Sequence, residues 1–133
     1  MRSTEIAIDT GAHRVVDVTG IATSFLDSGD EGLLHLFAPH ATCGLALMET
    51  GSGSEADLLA TVERLLPRDN RYRHRHGSGG HGADHVLPAF VSPSLTLPVQ
   101  RGQILLGTWQ SVVLVDTNDD NPHRRLRLSL LAG

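Results

Sequence analysis

Two runs of strand length, Gly32-Leu-Leu-His-Leu-Phe-Ala38 and Cys43-Gly-Leu-Ala-Leu-Met48, are apolar at nearly every position. A strand with one wet face alternates polar and apolar side chains, so continuous apolar runs predict strands covered on both sides, at the centre of the fold. Further strands are predicted at Ser94–Pro98, Gln103–Leu106, Ser111–Val115 and Arg125–Leu130. In the last, Leu126, Leu128 and Leu130 share one face and Arg125, Arg127 and Ser129 the other. Glu5–Asp9 and Arg14–Val18, with Thr10-Gly-Ala between them, predict an opening hairpin, and residues 20–26 a short helix. The one long helical pattern starts at Ser54, where Leu58, Leu59, Val62, Leu65 and Leu66 recur at helical spacing, Ser54 and Asp57 fit a capping box, and Pro67 ends the run. Strands that do not alternate with helices disfavour a parallel α/β fold. The expected class is α+β, mainly an antiparallel β-sandwich with one main helix at about 54–66. A chain of 133 residues fits a single domain, 1–133, and is too short for a TIM barrel.

Composition narrows the functional classes. The formal net charge is −4, against the strongly basic surface of a generic nucleic-acid binder. All 11 basic residues are Arg, so lysine Schiff-base chemistry and a P-loop are excluded. Cys43 is the sole cysteine, so no disulfide forms within one chain and a reducing compartment is expected. Neither a leader-like apolar stretch nor a run long enough to span a membrane is present, and the expected location is the cytoplasm.

The histidines carry the chemical signal. Four of the eight, His74, His76, His81 and His85, fall between Arg71 and Val86, and two more stand at His35 and His40. Imidazole is the commonest metal ligand and titrates near neutrality. Two or three of the clustered histidines with a distant one such as His40 would make a three-nitrogen site, although a solvated Gly/Arg/His loop accounts for the same composition. His40 and Glu49 bracket the strand 41–48 at turns, either converging with loops or simply facing solvent. His35, inside an apolar strand, is expected in the core. Asp57 suits helix capping or the orientation of an imidazole. Arg124, Arg125 and Arg127 would clamp a phosphate or form a solvated strand face. Gly107-Thr-Trp-Gln110 suggests a bulge whose Trp109 fills the core or walls a ligand. Cys43, in a buried strand, reads as an apolar filler rather than a nucleophile.

The run Leu33 to Glu49, the helix carrying Asp57, Tyr72-Arg-His74, Asp84-His85-Val, Ser94-Leu-Thr-Leu-Pro98, Gly107-Thr-Trp-Gln110 and Arg124-Arg125 together resemble the secondary thiamine-phosphate synthase (YjbQ-like) family. The resemblance implies a β-sandwich-like α+β homotrimer with a polar site near a subunit boundary. It carries metal-site roles onto His40, Glu49, His74 and His85, and onto Asp57 after a one-residue gap. Met48 and Ala41 depart from the family's usual Asn and Thr, and His76 and His81 are additional histidines.

On this basis the expected function is a metal-dependent synthase that joins a pyrimidine methyl diphosphate to a thiazole phosphate. His40, His74 and His85 would hold a divalent ion, zinc by ligand type and magnesium as the alternative. Glu49 and Asp57 would act as base or orienting groups, while Arg124 and Arg125 meet the leaving diphosphate. The alternatives are a metal-dependent hydrolase of a small phosphorylated or acyl substrate, and a non-catalytic trimeric metal- or anion-binding protein.

Overall fold

The computed structural model describes residues 1–133. Eight strands run in the order β1 (Arg2–Asp9), β2 (Val15–Asp17), β3 (Gly32–Phe37), β4 (Gly44–Met48), β5 (Ser94–Gln100), β6 (Gln103–Ile104), β7 (Ser111–Val115) and β8 (His123–Ala132). Helix α1 (Thr19–Ser24) follows β2, while α2 (Ser54–Leu65) and α3 (His81–Val86) lie between β4 and β5, α3 continuing into a 3-10 turn at Leu87–Ala89. Every strand pairing is antiparallel. The larger sheet has the order β1-β8-β3-β5-β6 and the smaller the order β2-β7-β4.

Side-chain alternation builds three layers from these elements. Leu34 and Leu36 of β3, Leu126, Leu128 and Leu130 of β8, and Leu97 and Val99 of β5 point to one side of the large sheet. They meet Val112 and Leu114 of β7 and Leu45 of β4 in one apolar cluster. The intervening β7 residues, Val113 and Val115, point the other way into a second cluster with Leu66, Ala83 and Leu87, against which Leu58, Val62 and Tyr72 pack. The small sheet is therefore the middle layer, with the large sheet on one side and α2 and α3 on the other. Burying each such side chain contributes about 1.5–3 kcal/mol.

The α+β sandwich expected from the sequence is the architecture observed, and five local expectations are corrected. Residues 5–9 and 14–18 do not form a hairpin. Ile6 and Ile8 of β1 face Leu126 and Arg124 of β8, whereas Val15 and Val16 of β2 face Val115 and Leu114 of β7 in the other sheet. The apolar run of β3 is covered on one side only: Leu34 and Leu36 are sealed, but Leu33 and Phe37 remain 46% and 39% exposed on an outer sheet face that no layer of this chain covers. His35 shares that outer face and bonds Thr96 Oγ1 through Nδ1 at 3.1 Å, so it is not a core residue.

Helix α2 is present at the expected place, but its cap is Gly53 in a left-handed conformation (φ 95°), with no side-chain cap from Ser54. The Glu55 carboxylate takes up the free amide of Gly51 instead, at 3.1 and 3.2 Å. Trp109 belongs to the turn between β6 and β7, which is closed by Gly107 N–H donating to Gln110 Oε1, and it is 73% exposed rather than packed.

Candidate metal centre

Leu66 ends α2, and the chain then leaves the helical layer, loops out and returns as α3. An ion pair between Arg68 and Asp84 joins the two ends of this excursion. Asp84 is fully buried and also accepts from Thr117 Oγ1 at 2.8 Å, just beyond β7. Tyr72 O–H donates to Pro67 O at 2.8 Å and fixes the start of the loop. At Gly82 a Cβ would stand 2.5 Å from Tyr72 Cβ and 2.9 Å from the carbonyl oxygen of His74, so only glycine lets the loop lie against α3 here.

That close approach brings four imidazoles together. His74 and His76 come from the loop; His81 and His85 stand one turn apart on α3, the i, i+4 spacing that puts two side chains on one helix face. One nitrogen from each of the four lies within 4.8 Å of the others. The Nε2 atoms of His81 and His85 are 2.9 Å apart. Four nitrogens around a tetrahedral ion sit about 3.3 Å from one another, so small ring rotations would close this set on a single cation. His81 is buried while His76 is exposed, so the cluster opens to solvent on the His76 side. A small polar cavity of about 130 Å³ lies there, lined by Asn70, Ser78 and glycines as well as histidines.

The electrostatics favour the neutral imidazole at His74 and at His85. Desolvation lowers the pKa of His74 and of His85, and the neighbouring imidazoles lower both further. Neutral nitrogen is the form that coordinates. The far side of His81 meets an acidic turn, where Nδ1 lies 2.9 Å from Asp120 Oδ2 and 3.3 Å from Asn118 Oδ1. Asp120 takes up the backbone amide of Ser78 at 3.0 and 3.2 Å, which lowers its pKa.

Of the three ligands expected from the sequence, His74 and His85 stand in the cluster and His40 does not. His40 Nε2 accepts the backbone N–H of Arg125 at 2.9 Å. Its pKa is lowered by desolvation and by the charges of Arg124 and Arg125, so within one chain its lone pair is used to hold β8.

Glu49 and Asp57 are also remote from the histidines. Antiparallel pairing sets Met48 beside Ser111 and Gly44 beside Val115, which puts Glu49 at the far end of the small sheet from Thr117 and Asp120. Five strand residues separate the two ends by about 16 Å. Asp57 lies in the first turn of α2, about 12 Å along the helix from Leu65, where the chain leaves toward the loop. Both are exposed.

Neither expected arginine points at the cluster. Arg124 is buried and bidentate on Asp116, Nε to Oδ2 at 2.7 Å and Nη2 to Oδ1 at 2.9 Å, with Nη2 also donating to Thr42 Oγ1. Arg125 lies on the outer face of the large sheet, 3.3 Å from Glu5.

His76 and His81 complete the group that His40 was expected to complete. The sequence signal for them was the His81-x-x-x-His85 spacing, masked because the surrounding glycines read as loop rather than helix. Asp120, in the turn Asn118-Asp-Asp-Asn121, carried no such signal.

The family model described as "UPF0047 protein YjbQ-like" matches residues 4–133. The chain belongs to the YjbQ-like UPF0047 family. It is 60% identical over 126 residues to UPF0047 protein Rv2556c of Mycobacterium tuberculosis, covering 95% of each chain. With UPF0047 protein YjbQ of Salmonella typhimurium it shares 30% identity over 105 residues, 78% of this chain and 76% of that one. Among solved structures, hypothetical protein APE1520 from Aeropyrum pernix K1 superposes with a TM-score of 0.87 at 28% identity over 100% of both chains. A YbjQ-like protein of unknown function from Sulfolobus solfataricus P2 shares the fold, with a TM-score of 0.82 at 21% identity over 99% of this chain and 97% of that one.

These comparisons correct the functional expectation. They tie the chain to UPF0047, a family described by number and of unknown function, and none of them carries a thiamine-phosphate synthase activity. The synthase reaction, its transferase chemistry and the assignment of zinc are accordingly withdrawn, and the hydrolase and trimeric anion-binding alternatives gain nothing from them. The geometry agrees, since the residues expected to act as base and to meet the diphosphate lie away from the histidines. No helix is long and apolar enough to cross a membrane.

Proposed function

We propose that the protein binds one divalent transition-metal ion through His74, His76, His81 and His85. The observation that carries this reading is the convergence of four imidazole nitrogens within 4.8 Å. An all-nitrogen set suits the later first-row ions, whereas magnesium prefers oxygen ligands and no carboxylate oxygen joins this group. The ion would clip the 71–80 loop to α3. The exposed His76 is the ligand that exchanges most readily with water or a small incoming donor.

Metal analysis of the purified protein after dialysis against cobalt, nickel or zinc tests the reading, with about one ion per chain expected. His81→Ala and His85→Ala should each abolish stoichiometric binding while leaving the far-ultraviolet spectrum unchanged. Failure of the unaltered protein to retain any of the three ions would overturn it.

We also propose self-association through the outer face of the large sheet, in line with the trimer implied by the family resemblance. Leu33 lies between Leu131 and Pro98 on that face, and Leu33, Phe37 and Leu131 are each more than a third exposed. Sedimentation of Leu33→Arg should show a smaller species than the unaltered chain; equal masses would dismiss this face as the contact.

A further inference from the structure

His81 is the only one of the four clustered histidines with both ring nitrogens engaged. Its Nε2 faces His85 Nε2 at 2.9 Å inside the cluster, and its Nδ1 faces Asp120 Oδ2 at 2.9 Å on the other side. The carboxylate is itself held, because both oxygens accept the Ser78 amide. The Asp120 backbone N–H donates to Asn118 Oδ1 at 3.3 Å, and that same oxygen lies 3.3 Å from His81 Nδ1. The loop is shaped around this contact: a Cβ on Gly77, whose φ is +81°, would stand 2.5 Å from Asp120 Oδ2 and 2.9 Å from His81 Cγ. Glycine at 77 is thus what allows a loop amide, an acidic turn and the first residue of α3 to close on one point.

An imidazole coordinates through the nitrogen that carries no proton, and the partner of the other nitrogen decides which one that is. With an acceptor fixed beside Nδ1, the proton resides on Nδ1 and the Nε2 lone pair points into the cluster. The hydrogen-bond geometry leaves His74, His76 and His85 without a comparable partner on their second nitrogen. On the reading that the cluster binds an ion, we propose that Asp120 is its positioning residue: it holds His81 in the Nδ1–H tautomer and so supplies the one ligand already oriented before the ion arrives. Asp120 does not join the ligand group itself. Binding would then begin on α3, at His81 and His85, with the loop histidines closing afterwards.

The test compares the unaltered protein with Asp120→Ala, Asp120→Asn and Asp119→Ala. Asp119 is the control: it has the same charge one residue away, but it pairs with Arg14 and Arg68 and not with His81. Cobalt affinity is measured by competition with a chelator, and nitrogen-15 spectra of the metal-free imidazoles report the His81 tautomer. Asp120→Ala should lose roughly 10- to 100-fold in affinity and show a mixed His81 tautomer. Asp120→Asn, which retains an acceptor oxygen, should keep the tautomer and fall between, and Asp119→Ala should match the unaltered protein. If the unaltered protein binds cobalt and Asp120→Ala binds it equally well, the positioning role is overturned while the metal reading stands. Equal losses in Asp120→Ala and Asp119→Ala would also overturn it, by reducing the effect to bulk charge. If the unaltered protein binds no cobalt, the metal reading itself fails, and the positioning role with it.

Discussion

Arg124 and Asp116 form a buried bidentate ion pair, with two N···O contacts of 2.7 and 2.9 Å, at the junction of β7 and β8. Thr10 Oγ1 donates to the same carboxylate at 2.6 Å and Thr42 accepts from the guanidinium, so four segments of chain meet at one charge pair. Removing one member leaves the other charged and unpaired away from water. Arg124→Ala should cost about 3–5 kcal/mol in urea denaturation. Arg125→Ala, which removes only an exposed contact to Glu5, should cost no more than about 1 kcal/mol.

His40 gives the fold a dependence on pH. Its folded-state pKa lies below the ordinary value of 6.5, chiefly through desolvation, and its Nε2 must be unprotonated to accept from Arg125. Below 6.5 the unfolded chain takes up a proton that the folded chain refuses, so this contribution is complete above 6.5 and is lost as the pH falls. Denaturation midpoints at pH 7.5 and 5.5 should differ less in His40→Gln than in the unaltered protein. An unchanged difference would exclude His40 as the source.

Removal of metal should loosen the 71–80 loop. Arg71 and Arg75 bond only locally, to Asp69 and to Tyr72 O, and His74 and His76 meet His81 and His85 of α3 through ring contacts that a shared ion would fasten. Trypsin should cut after Arg71, Arg73 or Arg75 in the presence of a chelator and more slowly in saturating cobalt. Cobalt at 100 times its Kd should raise stability by about 2.7 kcal/mol. Identical cleavage rates in the two conditions would refute the clip.

Asp84→Ala should damage the centre without touching a ligand. The change leaves Arg68 only its longer contact to Asp119 and releases the tie from Thr117 to α3. Loss of about 3–5 kcal/mol of stability is expected, together with weaker cobalt binding. If affinity survives intact, α3 is held by packing on Val113 and Val115 alone.

Cys43 should be inert. It is buried, and desolvation pushes its thiol up to about 11, so little thiolate forms near neutrality. Thiol reagents at pH 8 should label the unfolded chain and leave the native protein unmodified.

Strand and helix types were legible because the periodicities are local. The 3.6-residue pattern of Leu58, Leu59 and Val62 and the two-residue pattern of Leu126, Leu128 and Leu130 announce themselves without tertiary information. Pairing was not legible: β1 and β2 look like a hairpin, yet each finds a better partner some hundred residues away, in β8 and β7 respectively. The one-sided exposure of β3 was hidden for a related reason, since Leu33 and Phe37 read as interior residues although this chain places nothing over them.

At the candidate centre, the histidine-rich segment pointed to all four clustered histidines, and the family resemblance narrowed them to His74 and His85. That all four converge depends on close approaches at Gly77 and Gly82 that spacing does not reveal, and Asp120 was obscured by the ordinariness of an acidic turn. His40, Glu49 and Asp57 could be separated from the histidines only by strand register and helix direction, which a list of motifs does not contain.

Strand β7 acts as a party wall. Val112 and Leu114 look into the sandwich, while Val113 and Val115 look into the room where the histidine-bearing helix is seated. Relatives of this chain can therefore refit one side by changing residues of one parity and leave the other side furnished as before.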